Sequence, residues 1–221
     1  MKDAIRHAAT IILARPGTDG PEVLMGQRGA AAVFMPSKFV FPGGAVDAAD
    51  AAVPLVRPLG ADCARRLAEA GAPAPQVLAA AAIRELWEET GLALAEPGAW
   101  PVAPAPEWTG IAERGLMPTA APLRFVFRAI TPPGRPRRFD ARFFLADARA
   151  VAGDTEDFSR ASDELSALQW IPLSAARSFD LPFITEIVLA EIARLIGRDG
   201  PPESVPFFDN SGAAPMFRRL V

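Results

Sequence analysis

The chain has 221 residues, of which half are hydrophobic and 22% charged, a balance that describes a globular protein with enough length to bury a core without disulfides or structural metal. Its formal charge of −3, from 23 basic and 26 acidic residues, gives no electrostatic reason to expect nucleic acid or an anionic membrane as a partner. A single cysteine, Cys63, and a single histidine, His7, exclude an internal disulfide, a cysteine-based zinc cluster and a two-histidine metal site, so chemistry falls to carboxylates, arginines, lysines and hydroxyls.

The opening stretch MKDAIRHAATIILARPG has a short apolar run with Asp3, Arg6 and His7 before it and Arg15 directly after it, a poor pattern for a secretory signal. No window approaches 18 consecutive apolar residues, so no transmembrane helix and a cytoplasmic protein are expected. Arg6–Arg15 and Glu22–Arg28 read as two strands of a hairpin, joined by the turn-forming Pro16-Gly17-Thr18-Asp19-Gly20-Pro21. Lys38–Phe41 reads as a short strand entering Pro42-Gly43-Gly44. Ala45–Pro75 is rich in Ala, Pro and Gly, with one helix expected around Leu59–Ala70, where Leu59, Cys63 and Leu67 recur every fourth residue. Gln76–Thr90 is a strong helix pattern, with Pro73 and Pro75 before it and Gly91 after it. Glu96–Thr119 reads mostly as loop. Strands are expected at Leu123–Ile130, Arg142–Leu145 and Leu168–Ile171, and a helix at Leu181–Ile196. The last twenty residues, rich in proline, are expected to wrap over the surface. No internal repeat or long linker is visible, which predicts a single domain over 1–221.

The sharpest local feature is Arg84-Glu85-Leu86-Trp87-Glu88-Glu89-Thr90-Gly91-Leu92. At about 100° per residue, Glu85, Glu88 and Glu89 share one helix face, while Ala79, Ile83, Leu86 and Thr90 lie on the opposite one. Like charges at this spacing cost an isolated helix about 0.2–0.5 kcal/mol per pair. Carboxylates also sit badly in a last turn, where the helix dipole is negative. A solvated acidic face is the plain explanation. A divalent cation that neutralises the face is the chemical one, and hard oxygen ligands select Mg²⁺ or Mn²⁺. The glycines of Phe41-Pro42-Gly43-Gly44 allow backbone to approach such a ligand closely.

These residues resemble the Nudix box, G-x5-E-x7-R-E-U-x-E-E-x-G-U with U aliphatic. The half from Arg84 to Leu92 matches at every specified position. Two departures stand in the other half. Asp50 occupies the place of the family's Glu, and 33 residues separate it from Arg84, 26 more than the motif's seven. A branch of the family similar to the peroxisomal coenzyme A diphosphatases carries such an interrupted box, and the flanks Phe34–Gly44 and Arg138–Ala146 resemble that branch too. The resemblance runs from about Ala8 to Phe183.

The resemblance implies an α/β fold, the Nudix α/β/α sandwich with a mixed sheet, carrying a helical insertion at about 51–75 inside the box. It implies Mg²⁺- or Mn²⁺-dependent hydrolysis of a diphosphate in a small nucleoside-diphosphate-linked substrate, with coenzyme A or acyl-CoA leading. A pyrophosphatase acting on a dinucleotide such as ADP-ribose or NADH, and a Nudix-like binding module without catalysis, are the alternatives. Glu88 and Glu89 would be the principal metal ligands, Glu85 a further ligand or the group that orients water, and the Gly44 carbonyl would complete the shell. Arg84 would anchor the loop–helix junction through Asp50 or Glu85, and Glu164 is the candidate base. Arg28 and Arg142 are candidate phosphate contacts, with Phe41 on the substrate side; Arg135, Arg137 and Arg138 could meet an outer phosphate. Trp87 and Trp170 are expected in the core, and Trp100 and Trp108 under the Pro-rich loop. The insertion either covers the substrate or forms the contact of a homodimer.

Overall fold

The computed structural model describes residues 4–69, 71–212 and 214–221. Its frame is a mixed sheet built on the long hairpin of β1 (Ile5–Gly17) and β2 (Gly20–Arg28). Two short strands, β3 (Phe39–Val40) and β4 (Gly43–Ala45), return along β2 and β1. Helices α1 (Ala61–Leu67) and α2 (Pro75–Thr90) follow. Between Glu96 and Thr119 the expected loop contains a small ribbon, β5 (Ala95–Pro97) with β6 (Leu116–Pro118), and a four-residue helix α3 (Thr109–Ala112). Trp108 is buried there against Trp100, as expected, with ring centroids 5.9 Å apart.

The chain then forms β7 (Arg124–Ile130), β8 (Arg138–Asp147), β9 (Leu165–Pro172) and α4 (Phe183–Ile192). β8 runs parallel to β1 over ten paired residues, and β9 pairs antiparallel with β2. The final residues correct the sequence expectation. They do not simply wrap the surface: β10 (Val205–Asp209) and β11 (Met216–Leu220) extend the sheet beyond β7, with Val205 and Phe207 buried. The resulting order is β11-β10-β7-β8-β1-β2-β3, with β4 also on β1 and β9 also on β2.

Alternation along the strands sends apolar residues to both faces, as a doubly covered sheet requires. Ile11, Leu13 and Phe144 pack with Leu78, Ile83 and Leu86 of α2, whereas Ile12, Phe143 and Leu145 pack with Val188 and Ile192 of α4. This is the expected α/β/α sandwich. Among the described residues no helix is long and apolar enough to cross a membrane.

The insertion is part of the core. Leu59, Cys63 and Leu67 are buried against the α2 side of the sheet, and the Phe125 amide donates to Cys63 Sγ at 3.4 Å. Ala70, which the sequence places at the end of this helix, lies outside the described residues. Replacing Leu67 with Ala is expected to cost about 2–5 kcal/mol, the usual range for emptying a buried leucine site. Urea denaturation measures this, and a loss below about 0.5 kcal/mol would show the insertion to be a loose surface excursion.

Candidate active site

Helix α2 is set by its ends. Pro75 occupies the first turn, where its missing amide hydrogen costs nothing, and Gly91 closes the helix in the left-handed region at φ 75°, its amide donating to Trp87 O at 2.8 Å. That stop leaves Glu88 and Glu89 in the final turn. The sheet contact then decides which carboxylates lose solvent: Glu85 is 8% exposed and Glu89 2%, while Glu88 is half-buried.

The opposing wall is β4. Gly44 lies so close to α2 that a Cβ placed on it would stand 2.5 Å from the Glu85 carboxyl carbon, and Gly43 donates its amide to Glu89 Oε2 at 2.8 Å. The two halves of the interrupted box are therefore adjacent, although forty residues of chain lie between Gly44 and Glu85. Gly44→Ala is expected to displace Glu85 rather than unfold the chain, because the colliding atoms end a flexible side chain. Turnover should fall at least tenfold with a near-native melting temperature, and retention of full turnover would remove Glu85 from the site.

Arg84 fixes the junction. Its Nε and Nη2 donate to the two oxygens of Asp50 at 2.8 and 3.2 Å, Nη1 donates to Glu85 and Glu88 at 2.9 Å each, and Nη2 also reaches Ala45 O at 3.0 Å. Asp50 is 2% exposed and accepts the Asp47 amide at 2.8 Å. The shorter Asp thus reaches Arg84 in the place of the motif's Glu. Burial works against the Arg84 charge, yet Asp50, Glu85 and Glu88 outweigh it and hold its pKa above the usual guanidinium range.

The carboxylates show the opposite balance. Burial raises the Glu85 pKa to about 7, against the lowering pull of Arg84. Burial also raises Glu89 well above the normal carboxylate range, reinforced by Glu85 and opposed by the Gly43 amide. Glu88 is raised by burial as well, with Arg84 opposing. Among the described residues no three acidic, His or Cys side chains are already drawn around one point, and Arg84 holds Glu85 Oε1 and Glu88 Oε2. A cation nevertheless suits the residues present: Glu89 Oε1 is buried with no partner, and the Gly43-Gly44 ledge leaves no side chain in front of the acids.

On the α4 side of the sheet a cleft of about 790 Å³ opens from this ledge, with Phe41, Ala141 and Phe143 in its wall and Arg28 and Glu164 at the end nearest Gly43 and Gly44. Arg28 Nη2 donates to Glu164 Oε1 at 2.9 Å, while Arg28 Nε is buried without a partner. The structure thus gathers Arg28, Phe41, Gly44, Arg84, Glu85, Glu88, Glu89 and Glu164 in one region.

Arg142 is the correction. Strand alternation turns Phe143 toward the cleft and Arg142 to the other face, where it is 1% exposed and spends its Nη1 on Asp140 O and His7 Nδ1, both at 2.9 Å. Burial, with Arg142 beside it, lowers the His7 pKa. Arg142 is a structural arginine with no route to a substrate in the cleft. Trp87 and Trp170 also differ from expectation: both are half-buried at the core edge, and Arg15 lies over Trp170 at 4.2 Å. The sequence reading missed the Arg28–Glu164 pair, whose members are 136 residues apart; no local pattern signals such a contact.

Known proteins are similar to this chain in sequence and in fold. No family model matches the chain. A Nudix hydrolase structure from Alicyclobacillus acidocaldarius is 31% identical, with 85% of this chain and 90% of that one aligned at a TM-score of 0.62. Among curated proteins, nudix hydrolase 7 of Caenorhabditis elegans is 32% identical over 177 residues, 75% of this chain and 51% of the relative. The acyl-coenzyme A diphosphatase NUDT19 of Gallus gallus is 29% identical over 230 residues, 75% of this chain and 60% of the relative. The chain thus spans between half and two thirds of these curated relatives. The NUDIX domain of Shewanella oneidensis NrtR, solved with ADP ribose, shares the fold at 12% identity and a TM-score of 0.51. On the first of these matches, the chain belongs to the Nudix hydrolase family.

Proposed function

We propose that the chain hydrolyses the diphosphate of a nucleoside-diphosphate-linked small molecule, with coenzyme A or an acyl-CoA as the leading substrate. The observation that carries this is the pair of orphaned buried atoms in one site, Glu89 Oε1 and Arg28 Nε: one asks for a cation and the other for an anion. A divalent cation together with a diphosphate would supply both. The choice of coenzyme A rests on the interrupted box and on the likeness to the NUDT19 diphosphatase.

In this reading Glu85, Glu88 and Glu89, with the Gly44 carbonyl, hold Mg²⁺ or Mn²⁺. When bound, the ion offsets phosphate charge and makes a coordinated water more acidic. The rest is done by the chain. Gly43 fixes the Glu89 carboxylate through its amide. Arg84 fixes Glu85 and ties the helix to Asp50 across the insertion. Arg28 turns its guanidinium to a phosphate oxygen, a match of fork to tetrahedral anion, and so releases Glu164 to accept the proton of the attacking water. Phe41 and Phe143 give the cleft an apolar wall for the remainder of the substrate.

A panel assay tests the proposal. With Mg²⁺ or Mn²⁺ present, coenzyme A or an acyl-CoA should be turned over faster than ADP-ribose, NADH or nucleoside triphosphates. Faster turnover of ADP-ribose or NADH would assign a dinucleotide pyrophosphatase instead. Nucleotide binding with no turnover of any member would assign a binding module.

A further inference from the structure

The cleft holds more positive charge than a diphosphate needs. Among the described residues its lining carries Arg6, Arg28, Lys38, Arg135 and Arg137 against one acid, Glu164, in a chain whose overall charge is −3. Arg28 and Lys38 are committed to Glu164 and Asp180. Neither Arg135 nor Arg137 has an acidic partner among the described residues, and both sit in the connection between β7 and β8 at the far end of the cleft from Gly44.

This connection is held firmly at its base. The Thr131 amide donates to Phe139 O at 2.8 Å, and the Phe139 amide donates to Thr131 Oγ1 at 3.0 Å. Arg138, 8% exposed, donates to Thr131 O at 3.0 Å and to Asn210 O at 2.8 Å, so it serves as a staple and is not available to a ligand. Pro132, Pro133 and Pro136 limit the backbone further, and Gly134 makes the turn at φ 81°. The loop therefore presents two guanidinium groups with little backbone freedom left to lose on binding. Its distance from the acids follows from the strand register. Arg138 pairs with Ile5 and Gly44 with Ala9, four residues along β1, or about 13 Å at the usual strand rise.

We propose that Arg135 and Arg137 form a specificity site for a second phosphate, carried on the ribose of a substrate whose 5′-diphosphate lies at the glycine ledge. This deepens the proposed function and rests on its placement of the diphosphate, but it concerns binding and does not require turnover. A guanidinium fork matched to a phosphate dianion is the chemistry of the contact.

Calorimetric titration of the full chain with AMP, adenosine 3′,5′-bisphosphate and adenosine 2′,5′-bisphosphate tests it. The wild type should bind one bisphosphate about tenfold or more tightly than AMP, and the isomer preferred reports the position of the phosphate. The Arg135→Gln/Arg137→Gln variant should lose that advantage while keeping its affinity for AMP, and the Arg→Lys pair should recover part of it. Equal wild-type affinities for AMP and both bisphosphates would overturn the proposal, as would an advantage that persists in the Gln variant or a failure of both bisphosphates to bind at millimolar concentration. Absence of hydrolysis in the panel assay, with the bisphosphate advantage intact, would refute the proposed function and leave this site standing.

Discussion

Glu89→Gln is expected to lower turnover by about 10²–10³ while making the metal-free protein more stable at pH 8. The first effect follows from the proposed function, in which Glu89 is a charged metal ligand that stabilises the transition state electrostatically. The second follows from linkage. Glu89 is buried and its pKa lies well above the ordinary carboxylate range; Glu85 titrates at about 7, again because of burial. In the unfolded chain both lose their protons near the normal value of 4.5. Below that pH both states are protonated and the sites cost nothing. Above it the unfolded state ionises first, so the metal-free protein loses stability as pH rises from about 4.5 toward 7 and beyond. Glutamine keeps an oxygen for the Gly43 amide and removes the charge. The melting temperatures of variant and wild type should therefore converge near pH 4 and separate by pH 8, with the variant higher, and Mg²⁺ should narrow the gap by stabilising the wild type more than the variant. A variant less stable than wild type at pH 8, or one with undiminished turnover, contradicts the account.

Arg84→Met should be the most damaging single change to the fold. The guanidinium is the shared partner of buried Asp50 and Glu85 and of half-buried Glu88, and it also caps the Ala45 carbonyl that ends β4. Methionine preserves much of the stem but leaves Asp50 and Glu85 without a counter-charge. Removing one partner of a buried ion pair costs about 3–5 kcal/mol, because the other is left desolvated and unpaired. For a chain of this size that corresponds to a fall of about 10 °C in melting temperature. Arg84→Lys should recover only part of the loss, since an ammonium cannot serve Asp50 bidentately while reaching Glu85 and Glu88. Chemical denaturation measures the difference, and a cost under 1 kcal/mol would show that the four groups are not coupled as the distances indicate.

The features legible in the sequence are those with a local signature. Helix α2 is announced by its apolar period, Pro75 and Gly91, and the first hairpin by its Pro-Gly turn, so these elements and the Glu85, Glu88, Glu89 face could be placed in advance. The Leu59, Cys63 and Leu67 spacing gives α1, but not the β7 face that it covers. Strands β10 and β11 escape notice because Val205-Pro206-Phe207-Phe208-Asp209 has no clean alternation and its parallel partner lies more than seventy residues away. The place of Arg142 is not legible in the sequence either. Arg138-Phe139-Asp140-Ala141-Arg142-Phe143 alternates charged and apolar residues, which suggests a charged face open to a ligand; in the fold that face is buried, with Arg142 paired to Asp140 and His7. The orphaned Arg28 Nε and Glu89 Oε1, which carry the functional reading, are properties of tertiary burial and have no sequence signal.

The proposed function requires a divalent-cation site formed by the end of α2 and the Gly43-Gly44 ledge. Titration of Mn²⁺ into the full chain, followed by electron paramagnetic resonance of the free ion, measures whether it exists. The wild type should bind Mn²⁺ stoichiometrically at pH 8, with affinity weakened at least tenfold in Glu89→Gln and with Mg²⁺ competing. Equal Mn²⁺ binding by the two proteins, or none by the wild type, would refute the cation site.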